Sequence, residues 1–114
     1  MTNPQNFDYT IDADSTLKVA MQKITANHRG CLIVVDDSTL VVGVLSDGDI
    51  RRAMVKGATI IAPVRKAMNT NFLSIESDDT NVERFFEKHS NINVVPVVDR
   101  GNKLVDVKIR GGAY

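Results

Sequence analysis

The chain of 114 residues carries 14 basic and 14 acidic side chains, 43% apolar residues and no Trp, a balance that fits one soluble globular domain. It has no basic stripe and no aromatic platform of the kind that nucleic acid requires. No apolar run approaches the roughly 20 residues of a membrane span and the polar residues 1–6 lack a signal-peptide core, so the expected location is cytoplasmic. The single cysteine, Cys31, cannot form an internal disulfide and reads as a buried, small apolar residue.

In chain order, residues 9–11 predict a short strand, and Asp14-Ser15-Thr16 offers N-caps for a helix. Leu17, Ala20, Met21 and Ile24 recur at the spacing of one helix face, so a helix is predicted from Leu17 to about Asn27 or His28, ended by Gly30. Residues 31–35 and 40–45 are near-continuous apolar runs on either side of Asp36-Asp37-Ser38, which predicts a hairpin. A second helix follows from about Asp47 and stops near Gly57, with Ile50, Ala53 and Met54 on its apolar face. Residues 58–71 read as a connector in which Pro63 begins a short helical turn bearing Val64, Ala67 and Met68.

The pattern then restarts. A strand is predicted at 72–75, a polar cluster at 77–80, and a helix with Val82, Phe85 and Phe86 on its inner face and Thr80 with Glu83 as a capping box. A strand at 94–98, a turn at 99–102 and a closing strand at 104–109 complete it. Ile11 with Thr16 matches Ile75 with Thr80, and Val34-Val35-Asp36 matches Val97-Val98-Asp99. The chain therefore reads as an internal repeat, about 9–57 and about 72–112, each copy strand, helix, strand, strand, with a shorter helix in the second. The fold class expected is mixed α/β (α+β), with two halves packed about a pseudo-twofold axis because neither has enough apolar surface to stand alone.

The stretch with most chemistry is Gly43-Val44-Leu45-Ser46-Asp47-Gly48-Asp49-Ile50, where an apolar strand runs into a polar turn and then a helix. Ser46 and Asp49 sit where the first N–H groups of that helix lack an internal acceptor. One reading is a capping box with acidic residues placed to suit the helix dipole. The other is a ligand site, in which free N–H groups hold a phosphate or sugar, Gly48 lets it approach and Asp49 accepts from ribose hydroxyls. Catalytic constellations are missing: His28 and His89 have no Cys, His or Glu at metal-ligand spacing, and there is no P-loop or GxGxxG. Asp12-Ala13-Asp14 begins like a calcium loop, but Leu17 and Lys23 replace its Gly and Glu, so no metal is expected.

A tandem repeat with apolar strand, Gly, two apolar residues, Ser, two residues and Asp resembles the CBS domain pair, named for cystathionine β-synthase. The resemblance covers nearly the whole chain. It implies repeats of order β-α-β-β-α and clefts between them for AMP, ADP or ATP. The run from Leu45 to Ala53 is similar to CBS pairs attached to sugar-phosphate isomerases and sugar nucleotidyltransferases, where the module is regulatory. Carried onto this sequence, Ser46 bonds phosphate or ribose, Asp49 holds the ribose hydroxyls, and Asp47 and Gly48 shape the turn between them. Arg51 or Arg52 neutralises a phosphate. Phe72, Leu73 and Ser74, with Asn93, Val94, Val95 and Pro96, form the wall from the second repeat. In that repeat Ile109 and Gly112 stand where Ser46 and Asp49 do in the first, so its cleft is expected to lack the ribose clamp. The absence of a helix after the closing strand suggests a module from a longer protein. A homodimer with an attached or partner enzyme domain is the expected assembly, and a ligand-free dimerisation or interaction module is the alternative.

Overall fold

Leu17, Ala20 and Ile24 form the buried stripe of the first helix, α1 (Leu17–Asn27), and this stripe sets the layering of the molecule. The computed structural model describes residues 4–79 and 81–112, with side chains from Phe7 onward. A strand on each side of α1, β1 (Thr10–Asp12) and β2 (Cys31–Val35), pairs in parallel with Ile11 opposite Val34. β3 (Val41–Ser46) returns antiparallel to β2, giving a sheet of order β1-β2-β3, and α2 (Asp47–Val55) follows without a break.

The second half repeats the plan. β4 (Ile75–Glu76), α3 (Val82–Lys88), β5 (Val94–Val98) and β6 (Leu104–Ile109) form a sheet of order β4-β5-β6 with Ile75 opposite Val97. Even the register slips coincide, between Val34 and Val35 in one sheet and between Val97 and Val98 in the other. α3 has 7 residues against 11 in α1, in line with the shorter second helix expected.

The sheets face each other through Ile33, Val41, Val94, Val98 and Leu104. On the outer side of the first sheet, Leu32, Val34 and Leu45 pack on α1 and Ile50 of α2; on that of the second, Val95 and Val97 pack with Val82 and Phe86 of α3. Both central strands are therefore covered on both faces, which is why they read as unbroken apolar runs rather than alternating ones.

A pseudo-twofold axis passes between the hairpin turns. Val41 N–H donates to Asn102 O at 3.1 Å while Leu104 N–H donates to Thr39 O at 2.9 Å, the same exchange seen from each half. Each turn is built alike: Asp36 Oδ1 accepts from the Ser38 and Leu40 amides, and Asp99 Oδ1 accepts from those of Gly101 and Lys103.

Several boundaries differ from the sequence expectation. The strand expected at 72–75 is only Ile75–Glu76, because Pro96 stands where Ile33 pairs with Thr10 in the first repeat and supplies no N–H toward that side. Tyr9 ends a 3-10 helix at Pro4–Tyr9 rather than starting β1. α1 ends at Asn27 as expected, but the residue that stops it is His28, which adopts a left-handed φ of 58° and donates to Ile24 O, two residues before Gly30. Thr80, expected to head a capping box with Glu83, lies outside the described residues, and the N-cap of α3 is Asn81, which accepts from Arg84 N–H.

The connector does more than span the halves. Its carbonyls at Ala62 and Ile60 accept from the first two amides of α1, and Val64 is fully buried against the first half. Asn69 pairs with the outer edge of β3, exchanging bonds with Val44 in both directions. A Cβ on Gly43 would meet Asn69 O and the Met68 thioether at 3.0 Å, so this close crossing needs glycine.

Candidate functional site

The β3–α2 junction forms the capping box expected of it. Ser46 Oγ accepts from Asp49 N–H at 3.1 Å, and Asp49 Oδ2 accepts from Ser46 N–H at 2.9 Å. The short Asp side chain serves here where Glu is commoner. Asp49 Oδ1 gives the carboxylate a second bond, accepted from Arg52 Nη2 at 2.7 Å; the Asp49 side chain is 13% exposed and that of Arg52 68%. Asp47 N–H donates to Gly30 O, tying the start of α2 to the loop that precedes β2. The Gly48 amide is thus the first-turn donor left open among the described residues.

Beside Ser46 lies a cleft of about 470 Å³ between the two repeats. The first repeat contributes Arg29, Gly30, Cys31, Val44 and Ser46; the end of the connector and the approach to β4 contribute Asn69, Asn71, Phe72 and Leu73; the loop entering β5 contributes Asn91, Ile92, Asn93 and Val94. Its floor is apolar and its rim carries four amides, which can donate and accept together and so suit a heterocycle with mixed edges. Burial first, then the charge of Asp47, and least that of Asp49, push the Cys31 thiol up to about 11, against a hydrogen bond from the Val94 backbone that counts for more than Asp49. Cys31 is accordingly a neutral wall residue at physiological pH.

Of the site residues read from sequence, Ser46, Phe72, Leu73, Asn93 and Val94 line this cleft. Asp47, Gly48 and Asp49 follow Ser46 in the first turn of α2 without lining the cleft, and Asp47 borders the groove between α1 and α2. Four others lie elsewhere. Arg51 borders a separate groove with Met21, Ile50, Met54 and Val55; Ser74 is exposed ahead of β4; Val95 and Pro96 are fully buried within β5 and present no surface to the cleft. Arg29, Asn69, Asn71 and Asn91 were not picked out from sequence. The signal for two of them was the repeat itself, because residues 28–30 and 91–93 are the same pre-strand loop seen twice.

The corresponding place in the second repeat is differently filled. Ile109 packs its side chain toward Gly112, where a Cβ would meet Ile109 Cγ1 at 3.0 Å. Arg110, the counterpart of Asp47, keeps the same backbone bond, to Asn93 O at 2.8 Å, but sends its guanidinium to the carbonyls of Phe86, His89 and Ile92. The 3-10 helix at Pro4–Tyr9 also touches β6. Elsewhere, Asp12, Asp14 and Asp37 bring carboxylates together, but Asp14 is held by Arg65 at 2.7 Å and Asp12 accepts from the Asp14 amide.

Two β-α-β-β repeats with their sheets face to face and a Ser-x-x-Asp turn beside an inter-repeat cleft define a paired-repeat α/β module. Residues 3–56 match the CBS domain family model. The chain is 34% identical over 86 residues to arabinose 5-phosphate isomerase GutQ of Escherichia coli O6:H1, a match covering 75% of this chain and 27% of that protein. Among solved structures, CBSX2 in complex with AMP superposes with a TM-score of 0.74 at 27% identity, covering 97% of this chain and 87% of that one. The CBS domain protein PAE2072 from Pyrobaculum aerophilum, complexed with AMP, shares the fold at a TM-score of 0.68 and 21% identity over 89% of this chain and 79% of that one. Sequence and fold together place this chain in the CBS domain family, with two copies of the repeat. It spans about a quarter of the length of the isomerases it matches. Among the described residues, no helix is long and apolar enough to cross a membrane.

Proposed function

We propose that the chain is a regulatory module that binds one adenine nucleotide, AMP, ADP or ATP, in the cleft beside Ser46. The observation that carries this reading is the composite cleft, with its apolar floor, its amide rim and its opening at the start of α2. The neighbours complexed with AMP support it. The base lies against Phe72, Leu73 and Val94, and the ribose lies toward Asp49. That carboxylate already accepts two bonds from the box and Arg52, but it has room for about four, so ribose hydroxyls add to the cap without dismantling it.

CBS domains regulate rather than catalyse, and the chemistry belongs to an attached or partner domain. The likeness to GutQ favours a sugar-phosphate isomerase for that role over a nucleotidyltransferase. The location that goes with this reading is the cytoplasm, where adenine nucleotides are available to be sensed. A second reading, a dimerisation module with Ser46 and Asp49 serving only as caps, is favoured by the groove between α1 and α2. There Met21 and Met54 are half-buried and Val55 is 83% exposed, with Ile61 75% exposed on the connector. A homodimer through this face is compatible with both readings.

Calorimetry with sedimentation separates them. The expected result is one adenine nucleotide per chain, weakened about ten- to hundredfold in Asp49→Ala because buried ribose hydroxyls lose their acceptor. Melts of that variant should show a loss of only ~1 kcal/mol, the worth of half a capping box. Failure of every adenine nucleotide to bind a dimeric wild type establishes the second reading, and a monomer throughout the micromolar range removes the homodimer.

A further inference from the structure

Resting on the nucleotide assignment above, we infer that Arg29 is the residue that receives the ligand's phosphate, and that as the sole cation lining the cleft among the described residues it makes the site selective for a nucleoside monophosphate over di- and triphosphates. Arg29 stands in the loop between α1 and β2, which is tied to the α2 terminus through the bond from Asp47 N–H to Gly30 O. Its own backbone N–H is fixed by Asn27 Oδ1 at 2.8 Å. The ion pairs formed among the described residues join Arg52 to Asp49, Arg65 to Asp14 and Lys108 to Asp106; Arg29 belongs to none of them. Its guanidinium makes one long contact, from Nη1 to Arg110 O at 3.4 Å. A half-buried guanidinium facing a cleft with its fork otherwise unused is suited to bidentate contact with a phosphate.

The other arginines nearby are committed elsewhere. Arg51 faces the α1–α2 groove, Arg52 is held by Asp49, and Arg110 spends its guanidinium on three carbonyls. The carboxylates, in contrast, are close. Asp47 Oδ2 comes within 3.8 Å of where a Cβ on Gly30 would sit, and the charges of Asp47 and Asp49 reach the cleft strongly enough to raise the Cys31 thiol. One phosphate can be matched by Arg29 and by the open Gly48 amide at the positive end of α2. Each further phosphate brings negative charge toward Asp47, and the other guanidinium nearby, Arg52 lying over Gly48, is already paired with Asp49, in a partly desolvated setting where screening is weak.

The test is calorimetry of the whole chain with adenosine, AMP, ADP and ATP in magnesium-free buffer, on the wild type, Arg29→Gln, Arg29→Lys and Arg51→Gln. Wild type should bind AMP about tenfold or more tightly than adenosine and than ATP, with ADP between AMP and ATP. Arg29→Gln should bring AMP down to the adenosine level while leaving adenosine within about twofold; Arg29→Lys should fall between the two because it keeps the charge and loses the fork. Arg51→Gln should bind AMP as wild type does, and melts confirm that each variant is folded. ATP binding as tightly as AMP overturns the inference, as does an Arg29→Gln variant that weakens adenosine and AMP equally. Wild type that binds neither adenosine nor any adenine nucleotide overturns the nucleotide assignment itself and this inference with it.

Discussion

The two repeats agree where they hold each other and diverge where they meet a ligand. The hairpin turns match bond for bond, with Asp36 and Asp99 as the acceptors, Thr39 and Asn102 both at left-handed φ (62° and 64°), and reciprocal bonds across the axis. From the middle of the third strand onward the match ends. Gly43, Leu45 and Ser46 are answered by Asp106, Lys108 and Ile109. In the first repeat the outward N–H of Val44 is satisfied by the connector at Asn69 O; in the second the outward N–H of Val107 is satisfied by the side chain of Asp106 at 2.8 Å, which also pairs with Lys108 at 3.0 Å. A charged pair on an outer strand also discourages another strand from adding there. Pairing two halves fixes the geometry of the turns and central strands, and leaves the third strand free to be dressed for binding in one copy and for solvent in the other.

Gly43→Ala probes the crossing found only in the first repeat and carries the largest stability effect in this comparison. The added methyl meets the backbone of Asn69, which cannot swing away as a side-chain tip would, so a loss of about 1–3 kcal/mol is expected in chemical denaturation. Asp106→Ala, at the equivalent position, should cost less, about 1 kcal/mol or below, because the half-buried amide of Val107 on an outer strand can still reach water. Equal losses for the two would mean that the connector crossing is not what distinguishes the repeats.

Thr39→Asn sharpens the similarity instead. Thr39 is β-branched in a left-handed conformation, whereas Asn tolerates it well, and the Asn102 side chain already donates to Val41 O at 3.0 Å. By the pseudo-twofold, an Asn at position 39 reaches Leu104 O. A gain of about 0.5–1 kcal/mol is expected in thermal melts, and a loss would show that the turns are not interchangeable.

The smallest expected effect is the most informative. Ile109→Ser with Gly112→Asp rebuilds the Ser-x-x-Asp pattern in the second repeat, yet the stoichiometry of AMP should stay at one per chain. Arg110 still occupies the carbonyls of the loop before β5, and the Pro4–Tyr9 helix still touches β6. A second equivalent site in calorimetry would mean that the motif alone makes the cleft.

Most of the fold was legible because helix stripes and two-sided strands leave periodic marks, and because the repeat supplied each mark twice. Pro96 was visible in the sequence too, but its effect on β4 depends on which neighbour its missing N–H would have faced, and that is decided only by the register with Val107. The site was half legible. Ser46, Phe72, Leu73, Asn93 and Val94 flank recognisable strand ends, whereas Arg29, Asn69, Asn71 and Asn91 lie in loops without period and meet only when the halves close. Arg51 misled because an arginine one turn into a helix faces whichever neighbour that helix packs on, here the α1 side.

The exchange of bonds between the hairpin tips is blind to which molecule supplies each half. A second half borrowed from another chain would offer Asn102 O and Leu104 N–H in the same geometry. What selects the partner from the same chain is tethering, which holds the two halves at an effective concentration in the millimolar range. The connector strengthens that selection by being part of the first half's own structure, anchored at Ala62, Val64 and Asn69 before it reaches β4. Loosening these anchors therefore favours exchanged dimers and longer chains of halves at high protein concentration, so the same segment that walls the cleft also guards against domain swapping.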